Sequence, residues 1–494
     1  MNNKAIVIGS GFSGLSAASF MAKAGWKVTV LEMHDIPGGR ARQLKKDGFT
    51  FDMGPSWYWM PDVFERYFAA FGKKAGDYYS LERLDPSYRV VWPEASTQIP
   101  AGITALKTLF ESWEKGAAKK LDAFLKEAAF KYKVGIQNLV YKPGLSLLEF
   151  ANADFLKGLW RMDVFTSMRK HVNKYFRDER IRQLMEFPVL FLGALAKDTP
   201  ALYSLMNYAD IVGGTWYPKG GMYSVVEAMH KLAEELGVEF QFNAEVTGFE
   251  IDKNEIAGVK TKNKYYDTDV VIASADYHFV EQHLVPPSHR RYTQKYWDRL
   301  QMAPSCFIYY VGLNKKLKNV NHHMLFFDTS FEKHAEEMYS KKSLPTEPLF
   351  YVSVTSVTDD SVAPEGCENL FFLIPVAAGL ENDSEETREK YFNMIMSRFE
   401  KHTGEEVRGS IIYKSTFAHS DFVNEYHSFK GNAYGLANTL MQTANLKPGI
   451  RSNKLKNLYY TGQLTVPGPG VPPSLISGEV VAGVIHSIHQ IQQS

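Results

Sequence analysis

Six residues near the N-terminus, Gly9-Ser10-Gly11-Phe12-Ser13-Gly14, constrain this chain more than any other stretch. The short β-branched run Ala5-Ile6-Val7-Ile8 precedes them and reads as a buried parallel strand. Leu15 to Lys23 follows and reads as a helix stopped at Gly25, and Lys27 to Leu31 reads as a second strand ending at Glu32. Each glycine has a separate task. Gly9 permits the tight turn, Gly11 lets the backbone approach a pyrophosphate, and Gly14 lets helix and strand pack closely. The free N–H groups and partial positive charge of the helix N-terminus favour an anion there. Glu32 stands 18 residues beyond Gly14, where a carboxylate can accept hydrogen bonds from ribose hydroxyls. Strand, glycines, helix, strand and acid in this order predict an α/β, Rossmann-like dinucleotide-binding domain.

With 494 residues the chain has room for two or three domains. A net charge of +1 gives no global attraction to nucleic acid, and no nucleic-acid partner is expected. Cys306 and Cys367 are the only cysteines, without the spacing of a metal or disulfide site, so both are expected reduced and at least partly buried. No metal site is expected, and His322-His323, lacking companion ligands, reads as a surface pair. The N-terminus does not read as a signal peptide. No window of 18 predominantly apolar residues suggests a spanning helix; Phe187 to Ala196 is the densest candidate and contains Pro188. The expected location is cytoplasmic.

Residues 103 to 138, rich in Ala, Leu, Lys and Glu, predict a helix, and residues 146 to 185 predict another after the break at Pro143-Gly144. Between Lys157 and Arg182, eight basic residues face three acidic ones, interleaved with Leu159, Trp160, Val164, Phe165, Met168, Tyr175 and Phe176. Such a stretch suits an anionic membrane surface or an ordinary solvated helix face, and composition does not separate the two. The chain then returns to the nucleotide domain through the turn Tyr217 to Met222, a helix over Val225 to Leu236, and strands over Val238 to Phe242, Val246 to Ile251 and Val270 to Asp276. Residues 289 to 429 alternate strands and helices without a phosphate loop. A strand over Asn457 to Thr461 runs into Gly462-Gln463. The wrap Pro467-Gly468-Pro469-Gly470-Val471-Pro472-Pro473 follows, leading into a helix over Ser474 to Gln490.

Pro37-Gly38-Gly39-Arg40-Ala41, two backbone-permissive glycines and a phosphate-competent guanidinium, resembles the stretch that follows the first βαβ unit in FAD-containing amine oxidases and desaturases. Phe51-Asp52-Met53-Gly54-Pro55 continues that resemblance, and FAD is the expected cofactor. The stretches Thr358 to Cys367, Leu373 to Val376, Asp421 to Gly431 and the C-terminal wrap extend the likeness over essentially the whole chain. On these residues the chain resembles the bacterial phytoene desaturase family. Gly462-Gln463-Leu464 departs from the Gly-Ala-Gly or Gly-Ser-Gly of many relatives, which leaves fine substrate choice open.

The resemblance implies hydride transfer from a saturated carbon of an isoprenoid to flavin N5, stepwise from phytoene toward lycopene, with oxygen or a membrane quinone as electron acceptor. It implies a discontinuous FAD-binding domain (1–72, 219–288 and 430–494) and a mixed-sheet substrate domain (73–105 and 289–429). A helical domain (106–218) would rest peripherally on the membrane that holds the carotenoid. The expected FAD contacts are Gly9, Ser10, Gly11, Phe12, Ser13, Gly14, Glu32, Met33, Gly38, Gly39, Arg40, Met53, Gly54, Pro55, Val246, Ala275, Gly462, Gln463, Gly470, Val471 and Pro472. Glu149, an acid in an apolar setting, is the candidate for proton chemistry. Trp57-Tyr58-Trp59 suits either a hydrophobic channel or plain core packing. The alternatives are a hydroxycarotenoid 3,4-desaturase, a diapophytoene desaturase or a carotenoid isomerase or ketolase. A flavin-free isoprenoid carrier of the Rab-escort and GDI type is the rival outside enzymes.

Overall fold

The computed structural model describes residues 3–145, 163, 166–190 and 195–493. The first strand, β1 (Lys4–Ile8), is followed by helix α1 (Phe12–Lys23) and strand β2 (Lys27–Leu31). β1 lies at the centre of a five-stranded parallel sheet in the order Leu458–Tyr460, Val270–Ala273, β1, β2, Glu239–Gln241. Its apolar run is explained by burial on both faces. Ala5 and Val7 pack with the helices, whereas Ile6 and Ile8 join the cluster containing Val246, Ile256 and Val259 of an antiparallel three-stranded meander. The two ends of the polypeptide meet here, because the strand Leu458–Tyr460 and the last helix return to the first βαβ unit.

That last helix, Val471–Gln493, begins earlier than expected because the two prolines fill its first turn. Its segment Val471–Ile491 is long and apolar enough to cross a membrane, contrary to the expectation that no such window exists. Leu475, Ile476, Val481 and Ile485 are nevertheless buried, and the helix lies so close to α1 that a Cβ on Gly478 would fall 2.4 Å from the Ser13 carbonyl oxygen. It packs along α1.

A seven-stranded mixed sheet forms the second layer, in the order Ile411–Phe417, Ser305–Leu313, Glu368–Val376, Phe350–Ser353, His323–Phe326, Tyr88–Val91, Ser96–Ile99. All nine residues of Ser305–Leu313 are buried, and period-two geometry assigns their faces. Phe307, Tyr309 and Val311 pack on the helix Glu385–Thr403, while Cys306, Ile308 and Tyr310 turn to the opposite side.

The helical region differs from the sequence expectation in detail. One helix over 103–138 becomes Ile103–Trp113 and Ala117–Val134, because Glu114 is extended and Gly116 adopts φ +83. Within 146–185, the described residues form Met168–Tyr175 and then Glu179–Leu190, which continues through Pro188. The strand expected over Val270 to Asp276 stops at Ala273, since Asp276 instead caps the next short helix through the Phe279 N–H.

Candidate active site

A cavity of about 970 Å³ runs from the β1–α1 turn to the inner face of the seven-stranded sheet. Its polar end is built at the carboxyl ends of β1 and β2, where ligands of open α/β sheets bind. Gly9, Ser10, Gly11, Phe12 and Ser13 line it there, and Gly38, Gly39 and Arg40 close over them. Gly39 comes near enough that its Cβ would lie 3.5 Å from Gly11 Cα. Gly14 does not line the cavity. An added Cβ there would fall 2.0 Å from the Gly9 carbonyl oxygen, so this glycine serves packing, the third role expected of the motif.

Glu32 is buried at the end of β2 and fixes the turn. Its Oε2 accepts hydrogen bonds from Ser10 N at 2.8 Å and Ser10 Oγ at 2.6 Å, and its Oε1 accepts from His34 N at 3.0 Å. Replacing Glu32 with alanine leaves the Ser10 N–H without this acceptor, at a cost of about 1–3 kcal/mol. Both thermal stability and FAD affinity are expected to fall, as read by melting and by flavin-fluorescence titration. Unchanged values of both would remove Glu32 from this role.

Arg40 donates through Nη2 to Ser428 Oγ at 2.8 Å and to the Asn432 carbonyl, while its Nε is buried without a partner among the described residues. A buried cationic donor facing a glycine cradle fits a pyrophosphate. Met33, Val246 and Ala275 line the same end. Farther along stand Met53, Gly54, Pro55, Gly462, Gln463, Gly470, Val471 and Pro472, all on the cavity wall. Gln463 Nε2 is buried and unpartnered among the described residues, and the first turn of the Val471–Gln493 helix lines this section. The backbone around Gly54 comes so close to the Arg40 carbonyl oxygen that a Cβ would sit 2.6 Å from it. Asp52, just before it in the chain, accepts from the N–H groups of Met222 and Tyr223, and its burial pushes its carboxyl up to about 7.

The apolar end is only partly legible in the sequence. Trp57 and Trp59 line the cavity, whereas Tyr58 points into the core, stacked on Phe64 and hydrogen-bonded to Tyr79. Cys306, Ile308, Tyr351 and Leu373, from the inner sheet face, complete the wall; Leu373 falls in the Leu373 to Val376 stretch of family likeness, and no sequence motif points to the other three. The period-two geometry of the strand Ser305–Leu313 is the one available signal. His322 and His323 are buried, at 4% and 1% exposure, so the expected surface pair is corrected. His323 opens the strand His323–Phe326 and pairs with Ser353, while His322 just before it accepts from the Val354 N–H, so both enter the protein with a strand that is paired on both sides. Cys306 is buried and Cys367 half-buried, both as free thiols. Glu149 lies outside the described residues, as do Leu159, Trp160, Val164 and Phe165. Glu127, Asp163 and His171 converge, but the Lys131 ammonium is 3.0 Å from Asp163 Oδ2, which makes the group an ion-paired cluster.

A parallel nucleotide sheet, a glycine cradle with an unpartnered arginine nitrogen, and a long apolar extension under a second sheet define an FAD-dependent oxidoreductase for a greasy substrate. Residues 12–486 match the flavin containing amine oxidoreductase family. The chain belongs to that family and, within it, to the carotenoid desaturases. It is 40% identical to the carotenoid 3,4-desaturase of Haloarcula japonica over 481 residues, covering 96% of each chain. It is 29% identical to the zeta-carotene-forming phytoene desaturase of Myxococcus xanthus, covering 96% of this chain and 92% of that one. The crystal structure of an oxidoreductase from Methanosarcina mazei shares the fold, with a TM-score of 0.61 at 16% identity, covering 98% of this chain and 99% of the other. The carrier alternative is thereby set aside.

Proposed function

We propose that this FAD-dependent carotenoid desaturase introduces a 3,4 double bond near the end of a carotenoid that already carries a long polyene. The observation that carries this reading is the 40% identity to a carotenoid 3,4-desaturase, against 29% to a phytoene desaturase, over nearly equal lengths. Stepwise phytoene desaturation is the second reading, favoured by the motif likeness along the chain. Bound FAD supplies the two-electron oxidation of a C–H bond. The chain supplies the rest: Gly11 and the α1 N-terminus would take the pyrophosphate with Arg40, and Glu32 would take the ribose. Gly54, Gln463 and the turn Gly470 to Pro472 would hold the ring. Trp57, Trp59 and the inner sheet face would keep the polyene dry and extended.

The three-part domain division (1–72, 219–288 and 430–494; 73–105 and 289–429; 106–218) belongs to this proposal. So do collection of substrate from a membrane surface and return of electrons to oxygen or a quinone. Purified protein with FAD and vesicles containing either lycopene or phytoene tests the substrate. The lycopene absorption band should move to longer wavelength while phytoene stays colourless. Colour developing from phytoene would transfer the assignment to the second reading, and no reaction with either would remove both.

A further inference from the structure

Desaturation removes a hydride from one carbon and a proton from its neighbour, and the proton needs an acceptor inside an apolar cavity. The inner wall carries one. Tyr351, on the strand Phe350–Ser353, lines both the main cavity and a small apolar pocket of about 60 Å³, so this one side chain stands between the two. Ser56 Oγ donates to that hydroxyl at 3.0 Å, and the hydroxyl lies 2.6 Å from Nδ1 of His323. In the tautomer that carries its proton on Nε2, His323 Nδ1 accepts the tyrosine O–H, and Ser56 supplies the donor to the same oxygen.

His322 and Thr358 lie beyond His323. The His323 ring stands 4.4 Å from the His322 ring at 74°, and Nε2 of each is buried without a hydrogen-bond partner among the described residues. His322 Nδ1 is 2.8 Å from Thr358 Oγ1, and Thr358 is half-buried at the rim of the domain. Aromatic faces and a carboxylate flank the route and suit a passing positive charge. Trp57 stacks on His323 at 4.2 Å and 10°, Tyr217 packs against His322 at 4.6 Å, and Asp359 holds the Tyr217 hydroxyl at 2.9 Å.

We propose that Tyr351 is the catalytic proton acceptor of the desaturation, with His323 positioned behind it as the base that takes its proton, and that the proton leaves on the side of His322 and Thr358. Once a hydride is lost from one carbon, in the two-electron oxidation that FAD would supply, the neighbouring C–H bond breaks and its electron pair becomes the second bond of the alkene. The proton passes to Tyr351 Oη while the tyrosine proton moves to His323 Nδ1. Charge and electrons balance: two electrons leave with the hydride, and one proton enters the histidine. Burial holds His323 well below the usual histidine range and His322 near 3, which keeps both rings neutral at rest and makes His323 a weak base. A weak base suffices, because a C–H bond beside a carbon that has just lost hydride is strongly acidic.

The test uses full-length, FAD-loaded protein and vesicles of whichever carotenoid the wild type converts, so failure of the substrate assignment is seen with the wild type alone. Tyr351→Phe removes one hydroxyl, and His323→Ala removes the ring. Each should slow the single-turnover rate by roughly 100-fold or more, the scale of acid–base catalysis. FAD content and vesicle-borne carotenoid binding should stay unchanged. Added imidazole should restore His323→Ala, while pyrazole, of the same size but far weaker basicity, should not. If His323→Ala fails to fold, Tyr351→Phe alone decides. Near-wild-type turnover by Tyr351→Phe, or equal rescue by imidazole and pyrazole, would overturn the proposal.

Discussion

Gly14→Ala is expected to abolish the folded flavoprotein, whereas Gly11→Ala should leave the fold intact and weaken FAD binding alone. The two glycines sit three residues apart in one motif, but their surroundings differ. A Cβ at Gly14 would lie 2.0 Å from the Gly9 carbonyl oxygen and 3.0 Å from Ser274 Oγ. The first obstacle is backbone, so α1 must move bodily away from β1. α1 cannot do so freely, because the last helix is pressed against its other side at Gly478. Overpacking a tight core costs about 1–3 kcal/mol, and a clash with backbone costs more than one a side chain can absorb. A Cβ at Gly11 meets nothing nearer than the Gly38 carbonyl oxygen at 4.0 Å, and Gly11 has φ −70, open to any residue. The new methyl would occupy cavity that a pyrophosphate would fill. Melting temperature without flavin and FAD affinity by fluorescence separate the cases. Equal melting losses for both variants would show that the motif's glycines do not divide the work in this way.

That division explains why the nucleotide end is readable from the order of residues alone. Chemistry there is carried by backbone, and backbone geometry is written in glycine and proline at fixed offsets. The residues from Gly9 to Ser13, from Gly38 to Arg40 and from Gly470 to Pro472 all reach the cavity wall. The substrate end is less legible because its residues come from strands far apart in sequence. Ile308, Tyr351 and Leu373 share a face only once the seven-stranded sheet has formed. Period two tells which residues of Ser305–Leu313 lie together, but not which of the two sides holds the helix and which the cavity. The His322-His323 expectation fails for the same reason. Adjacent histidines look polar in isolation, yet they sit at the start of a strand enclosed on both sides, with a tyrosine hydroxyl and a threonine to receive them. Element ends are misjudged where one residue decides them, as at Gly116 and Asp276.

The second large effect is expected at Lys447, where methionine should make the protein more stable at pH 6 and give progressively less benefit toward pH 10. Lys447 is buried, and its ammonium is held by Asn438 Oδ1 at 2.6 Å. It lies under the C-terminal wrap, where a Cβ on Gly468 would come within 2.7 Å of Nζ. Burial pulls the amine down to about 7, whereas an unfolded chain keeps a lysine near 10.4. Between these values the unfolded chain binds the extra proton, so wild-type stability rises with pH across that window. Below pH 7 the full cost of a buried ammonium is present, on the order of 4 kcal/mol. Methionine removes the charge and keeps most of the volume, at the expense of the bond to Asn438, worth about 1 kcal/mol. Asn438, which accepts from Lys447, also lines the cavity. Lys447→Met should therefore stabilise the chain while loosening one wall of the site, the usual exchange between stability and function. Denaturant unfolding at pH 6, 7.5 and 9 measures this directly: a gain that shrinks with pH supports it, and a variant less stable than wild type at all three refutes it.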